Sequence, residues 1–106
     1  MADAVATWPI STDAKVTIQG VKDDTGAPIL DGVVAAVLQD SQGNPVINAS
    51  ALAFTYVSGS SGDYAGIIPA NVDLLDGRDY TLVITITKSS RQAVIKMTRT
   101  AAFVTI

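Results

Sequence analysis

The acidic side chains of this chain are all aspartates: its 106 residues include ten Asp and no Glu. Most of these aspartates stand next to Gly, Ser, Asn or another Asp in the sequence. Glu is favoured inside helices, whereas Asp hydrogen-bonds to nearby backbone and is favoured in caps and turns. The distribution therefore predicts a fold in which turns join short strands and helices are rare.

Several segments alternate apolar and polar side chains with the period of two that is typical of strands. The clearest begins at Tyr80 and ends at Lys88, with a Tyr, Leu, Ile, Ile face opposite a threonine-rich face. Further strands are predicted at 15–19, 33–38, 52–57, 63–68 and 93–106, the last as one long strand or two short ones. Segment 71–75 allows at most one helical turn. We therefore predict an all-β fold, an immunoglobulin-like β-sandwich of about seven antiparallel strands.

The domain organisation follows from where the alternation starts. Residues 14–106 are long enough for one packed core and are predicted to form a single β-sandwich domain. Residues 1–13 lack sustained periodicity, and Pro9 disfavours helix at Trp8, so they are predicted to form an extended N-terminal arm. Trp8, the only tryptophan, either caps the end of the sandwich or anchors the arm in a neighbouring chain.

A Leu-x-Gly-x-x-Tyr pattern leads directly into the clearest strand, at Leu75, Gly77 and Tyr80. This pattern resembles the tyrosine corner of immunoglobulin-like sandwiches, in which the Tyr hydroxyl bonds to backbone a few residues upstream. The resemblance implies that Leu75 fills the core, Gly77 permits the tight bend and Tyr80 fixes the crossover. This role is structural and carries no activity.

The turn sequences from residue 14 onward also follow a recognisable order. It runs through Asp24-Thr25-Gly26-Ala27-Pro28, Asp40-Ser41-Gln42-Gly43-Asn44-Pro45 and Ser61-Gly62-Asp63-Tyr64-Ala65-Gly66 to the tyrosine pattern. It is similar to small immunoglobulin-like modules of tailed-bacteriophage head, neck and baseplate proteins. That resemblance implies a structural accessory protein of the virion, assembled in the host cytoplasm from contacts with other virion proteins and with copies of itself. β-Sandwich domains of bacterial surface proteins share this order of turn sequences. Because the chain contains no Glu, it lacks the usual catalyst of their isopeptide crosslink.

The chemistry available to the chain is narrow, because it contains no His and no Cys. These residues supply the usual general base, soft metal ligands and the best nucleophile. We therefore predict no catalytic residue, no cofactor and no enzyme activity. Calcium is the one metal considered, with Asp23, Asp24 and Asp31 or Asp73, Asp76 and Asp79 as its ligands. Neither set has the spacing of a helix–loop–helix calcium site, so turn formation is the preferred interpretation and no metal site is predicted.

The charge and hydropathy of the chain limit the classes of partner that it can bind. The net charge of −3 argues against nucleic acid, although residues 80–106 carry Lys88, Arg91, Lys96 and Arg99 without any acid. These basic groups are interpreted as edge-strand charges that oppose aggregation. No segment approaches the ~18 apolar residues of a membrane span, and the first residues do not resemble a signal peptide.

Hydrophobic residues make up 48% of the chain and charged residues only 16%, which predicts burial against another chain. Segment 33–38 is apolar on both faces. Val34, Ala36 and Leu38 are therefore candidate interface residues together with Trp8, and ordinary core is the alternative. The alternative function is a carbohydrate-binding or adhesion module, in which Trp8, Tyr56 and Tyr64 would offer stacking faces. Core packing is the preferred interpretation for most of the six aromatic residues.

Overall fold

The structure, a computed structural model, describes residues 7–103. Within that range the chain forms seven strands and no helix, so no helix there is long and apolar enough to cross a membrane. The strands are β1 (Thr7–Pro9), β2 (Ala14–Ile18), β3 (Val33–Gln39), β4 (Phe54–Tyr56), β5 (Tyr64–Ile68), β6 (Asp79–Lys88) and β7 (Arg91–Ala102).

The strands form two sheets, one of four strands in the order β1-β7-β6-β3 and one of three in the order β2-β5-β4. All neighbouring pairs are antiparallel except β1 and β7, which are parallel. The prediction of an all-β sandwich is confirmed. The segment after residue 91 is one long strand, paired with β6 over its first ten residues.

The core lies between the sheets and is supplied by alternate residues of the strands. On β6, Leu82, Ile84 and Ile86 are fully buried, and their partners across β3 include Leu38 and Ala36. Burial of each large aliphatic side chain stabilises the fold by about 1.5–3 kcal/mol. Within residues 7–103 the buried residues are aliphatic or aromatic, and the buried polar groups of Trp8 and Tyr64 are hydrogen-bonded to backbone.

An Asp-x-x-Gly-x-Pro sequence occurs twice, starting at Asp23 and at Asp40, and both copies fold into the same turn. In each, Oδ1 of the Asp accepts hydrogen bonds from the backbone N–H groups two and four residues later. These distances are 2.9 and 3.1 Å at Asp23 and 2.9 and 3.0 Å at Asp40. As the sequence predicts, these carboxylates organise turns.

The prediction of an arm over residues 1–13 is wrong for residues 7–10. Thr7 to Pro9 pair with Thr100 to Ala102 of β7, and the side chains of Trp8 and Ile10 are buried in the core. The large apolar area of an indole favours this placement, because it is removed from water only when the strand lies against the sheet. Residues 1–6 of the predicted arm lie outside the described residues.

Candidate interaction surfaces

The four-stranded sheet turns one face away from the core, and we call it the outer face. On β3, β6 and β7 it comprises Val33, Ala35, Val37, Gln39, Asp79, Thr81, Val83, Thr85, Thr87, Gln92, Val94, Lys96, Thr98, Thr100 and Ala102. Asp79 and Lys96 are the two charged side chains of this set. Val33 is 76% and Val94 is 53% exposed. The outer face therefore carries few charges and is rich in β-branched residues, with exposed valines among threonine and glutamine side chains.

The predicted interface residues of β3 lie on the opposite side. Ala36 and Leu38 are fully buried and Val34 packs partly buried against the core. Both faces of β3 are apolar, as the sequence indicates, and the placement of these three residues corresponds to the alternative of ordinary core, not to an interface. The reason is register: Val34, Ala36 and Leu38 are paired with the inward residues of β6, so the alternate residues face outward.

Trp8 is fixed inside its own chain. Its indole Nε1–H donates a hydrogen bond of 2.9 Å to the carbonyl of Tyr80, and its ring is 1% exposed. The guanidinium of Arg99 lies 4.7 Å from the ring centroid, within the range of a cation–π interaction. Of the two roles predicted for Trp8, this geometry corresponds to capping of the sandwich and leaves the indole no exposed surface for a neighbour.

The bend before β6 contains a tyrosine contact of the predicted kind. The backbone N–H of Leu75 donates a 2.9 Å hydrogen bond to the hydroxyl of Tyr80, and Gly77 has a φ of +81° that favours glycine. The assignment of Leu75 to the core is wrong, since its side chain is 52% exposed. Leu74 is buried instead, because the chain reverses after it.

A second tyrosine, Tyr64, is fully buried and is hydrogen-bonded to a distant loop, a contact that the sequence pattern does not predict. Its hydroxyl donates to the carbonyl of Ile29 at 2.7 Å and accepts from the N–H of Gly32 at 2.9 Å. A Cβ at Gly32 would lie 2.7 Å from Cγ2 of Ile86. Glycine therefore lets the backbone at this position lie close to Ile86 and Tyr64. Tyr64 thereby joins β5 to the loop that precedes β3.

The aromatic side chains considered for carbohydrate stacking are mostly inside. Trp8 and Tyr64 are buried, and Tyr56 is partly buried with its ring edge against Tyr64, at a centroid distance of 5.4 Å. The hydroxyl of Tyr56 is hydrogen-bonded to the carbonyl of Ser60. None of the three presents a freely exposed ring face.

The aspartates considered for calcium do not converge. Among residues 7–103 there is no group of three or more acidic side chains able to hold a metal ion. Among the aspartates considered for calcium, Asp23 accepts hydrogen bonds from backbone N–H groups within its own turn. Two other aspartates, Asp13 and Asp63, join distant segments by accepting from the N–H groups of Ala70 at 2.7 Å and Gly20 at 2.9 Å.

Asp23 has a further partner, because Arg91 Nε lies 2.7 Å from its second carboxylate oxygen. The pKa of Asp23 is well below the ordinary value of an aspartate. The largest cause is the hydrogen bond from the Thr25 hydroxyl, which together with Arg91 and the backbone N–H groups of Ala27 and Thr25 outweighs the opposing effect of desolvation.

A cleft of about 280 Å³ opens at one end of the sandwich, between the loop at 40–47 and the segment at 73–80. Asp40, Asp73 and Asp79 contribute to its walls, beside exposed Ile47. Asp40 caps its own turn and Asp79 accepts a hydrogen bond from Thr100. The cleft presents dispersed acidic groups without a convergent set of ligands.

Comparison with known proteins gives no identification: no family model, no characterised protein and no solved structure matches the chain. The functional argument therefore depends on the surfaces themselves.

Proposed function

We propose that this chain is a non-enzymatic structural or assembly protein that acts through protein–protein contacts, with the outer face as its principal contact surface. The observation that carries the proposal is the composition of that face, on which two of the fifteen outward side chains of β3, β6 and β7 are charged. Exposed apolar patches on small proteins commonly mark contact sites. The partner that we propose for this face is a second copy of the chain.

The geometry of the face suits such a contact. Valine and threonine side chains have few accessible rotamers, so ordering them in an interface costs little entropy. Val33 of β3 and Val94 of β7 are both exposed, so exposed valines occur on both sides of β6. Face-to-face packing of two such sheets removes these side chains from water as in the core of a β-sandwich.

We further propose an immunoglobulin-like module that serves as an accessory protein of a phage virion, in its head, neck or tail. The sheet orders β3-β6-β7 and β2-β5-β4 support the first part, since they correspond to strands C-F-G and B-E-D of immunoglobulin domains. The tyrosine bend before β6 supports it too. The proposed location in a virion is supported by the order of turn sequences along the chain. Capsid or tail genes beside its own gene would add support to this proposal.

The structure does not favour the alternative of a carbohydrate-binding module. It relied on ring faces at Trp8, Tyr56 and Tyr64, and two of these three rings are buried. We therefore do not propose it.

Light scattering behind a sizing column, over a range of protein concentrations, tests the contact surface. We expect a defined oligomer for the unmodified chain and a lower mass for Val33→Lys, which places a charge on the outer face. The matched control is Ile67→Lys, since Ile67 is 52% exposed on the other sheet. A monomer at every concentration, or equal dissociation by both substitutions, would contradict self-association through the outer face.

A further inference from the structure

The tripeptide Leu-Asp-Gly occurs twice in the chain, as Leu30-Asp31-Gly32 and as Leu75-Asp76-Gly77. Among Asp-containing sequences, Asp-Gly is the most prone to spontaneous backbone isomerisation, because glycine has no Cβ to shield its backbone nitrogen. Both aspartates are exposed. Since the two tripeptides are identical, a difference in reactivity between Asp31 and Asp76 would come mainly from the fold.

The isomerisation of an Asp-Gly pair needs no reagent other than water. The backbone nitrogen of the glycine attacks Cγ of the aspartate, and the amide hydrogen leaves with the carboxyl hydroxyl as one water molecule. The product is a cyclic succinimide. Water then adds to one of its two carbonyl carbons and breaks the bond from that carbon to nitrogen. Addition at Cγ restores aspartate, whereas addition at the backbone carbon gives isoaspartate, whose chain continues through Cγ and is one backbone atom longer.

The first Leu-Asp-Gly copy is anchored to the core at its glycine. For the attack, the N–H of Gly32 must leave its acceptor, the hydroxyl of Tyr64, at 2.9 Å. That hydroxyl is itself fixed by its bond to the carbonyl of Ile29, and Tyr64 is fully buried. A Cβ at Gly32 would lie 2.7 Å from Cγ2 of Ile86, so the glycine is closely packed. Rotation of this peptide group towards Cγ therefore requires the loop before β3 to separate from the core.

The second Leu-Asp-Gly copy lies in an exposed turn at one end of the sandwich. The N–H of Gly77 donates to the carbonyl of Ala101 at 2.9 Å, beyond the last residue pair of β6 and β7, which is Asp79 with Thr100. Gly77 is exposed, and no atom lies within 4 Å of the position that a Cβ would take. Sheet ends open at a lower free-energy cost than segments packed on the core. Rotation of this peptide group therefore breaks one hydrogen bond where there is space to move.

We propose that Asp76 is the site at which the folded chain isomerises, and that the hydroxyl of Tyr64 protects Asp31 from the same reaction. Asp31 has a φ of +54°, a left-handed conformation that is uncommon for residues other than glycine. Loss of the Tyr64 hydrogen bond therefore also frees the Asp31 backbone to rotate towards the attacking geometry.

The product at Asp76 would change the bend before β6. The two sides of this bend are fixed by the hydrogen bonds from Leu75 to Tyr80 and from Gly77 to Ala101. An additional backbone atom between Leu75 and Gly77 is incompatible with keeping both bonds at their present geometry. Isoaspartate therefore loosens the entry to β6, at the end of the sandwich where the cleft lies.

The test is the isoaspartate content at each site after the full chain is kept folded at neutral pH and body temperature for increasing times. Endoproteinase Asp-N cuts before aspartate and not before isoaspartate, so mass spectrometry of its digest quantifies the uncut bonds before Asp31 and Asp76. In the folded chain we expect isoaspartate to form at least about tenfold faster at Asp76, the scale of one buried hydrogen-bonded contact. In urea-unfolded chain the two rates should be nearly equal.

Tyr64→Phe removes the acceptor of the Gly32 N–H and should raise the rate at Asp31 by about tenfold. The rate at Asp76 should not change and serves as the internal standard. Tyr56→Phe is the matched control, since the hydroxyl of Tyr56 bonds to the carbonyl of Ser60 and to neither Leu-Asp-Gly copy. Circular dichroism at the incubation temperature shows whether each variant is folded.

Amide hydrogen exchange of the unmodified chain tests the same difference without a substitution, and the amide of Gly32 should exchange more slowly than that of Gly77. Equal isomerisation at the two sites in the folded chain, or faster reaction at Asp31, would overturn the proposal. Exchange at Gly77 as slow as at Gly32 would do the same. An unchanged rate at Asp31 in folded Tyr64→Phe would overturn the protective role of Tyr64.

Discussion

Arg91 and Asp23 are 68 residues apart in sequence, and the Nε of one lies 2.7 Å from Oδ2 of the other. The same guanidinium donates through Nη2 to the carbonyl of Pro28 at 2.6 Å. Arg91 is the first residue of β7, and Asp23 and Pro28 bound a turn in the loop that precedes β3. One side chain therefore connects the first of the two Asp-x-x-Gly-x-Pro turns to the end of the β6–β7 hairpin.

We expect this connection to make stability depend on acidic pH. The pKa of Asp23 is lowered in the folded chain, first by the Thr25 hydroxyl and also by Arg91, whereas an unfolded Asp has a pKa of about 3.9. The stabilisation is therefore complete above about pH 4 and is lost as the pH falls from there towards the folded pKa. At neutral pH Asp23→Asn should lower the melting temperature by a few degrees. That difference from the unmodified chain should shrink as the sample is acidified.

Thermal melts of the two proteins between neutral pH and about pH 2, the lower limit being well below an ordinary Asp pKa, measure this effect. Asp40→Asn is the matched control, since Asp40 forms the same turn and no arginine pairs with it among the described residues. A difference between the unmodified chain and Asp23→Asn that stays constant across the whole pH range would contradict the prediction.

The hydroxyl of Tyr64 should contribute more to the free energy of unfolding than the hydroxyl of Tyr56. Tyr64→Phe leaves the carbonyl of Ile29 and the N–H of Gly32 without their partner, and unsatisfied buried groups cost about 1–3 kcal/mol. Tyr56→Phe removes a bond to Ser60 inside one exposed turn, for which about 0.5–1.5 kcal/mol is expected. Urea denaturation of both variants gives the two free energies of unfolding, and equal losses would contradict the assigned role of Tyr64.

The strands were predictable because period-two alternation has one physical cause, the opposition of two sheet faces. β6 shows this best, since its inward residues are all large and apolar. In β3 both faces are apolar. Its sequence therefore predicts a strand but does not show which face lies against the core. Only the register with β6 decides that Val34, Ala36 and Leu38 lie inside.

The contacts that could not be predicted are non-local. Trp8 reaches Tyr80 across 72 residues and Tyr64 reaches Ile29 across 35. Neither pairing leaves a periodic signal, because each depends on how two sheets stack. A signal did exist for the repeated turn, since Asp, Gly and Pro recur at the same spacing from Asp23 and from Asp40. The order of the strands within each sheet is likewise not specified by the sequence.

Leu74 and Leu75 should respond in opposite ways to truncation. Leu74 is 7% exposed and Leu75 is 52% exposed, so Leu74→Ala creates a cavity and should cost about 2–5 kcal/mol. Leu75→Ala should stay within about 0.5 kcal/mol, as is usual for exposed positions. The two substitutions are chemically identical and adjacent, so each is the control for the other in a denaturation experiment. A larger loss at Leu75 would restore the core role that the tyrosine-corner pattern predicted for it.

Trp8 is the residue for which the sequence left two roles open, capping of its own domain and anchoring in a neighbouring chain. An indole anchored in a neighbouring chain would change its environment on dilution, whereas an indole hydrogen-bonded to Tyr80 within the same chain would not. Because Trp8 is the only tryptophan, its fluorescence reports this directly. We expect blue-shifted emission that is independent of protein concentration and that moves to the red only on unfolding. Arg99→Met should leave the emission blue-shifted, since the ring stays buried without the cation. Emission that shifts to the red on dilution, while circular dichroism still reports intact sheets, would show that Trp8 is buried by a second chain.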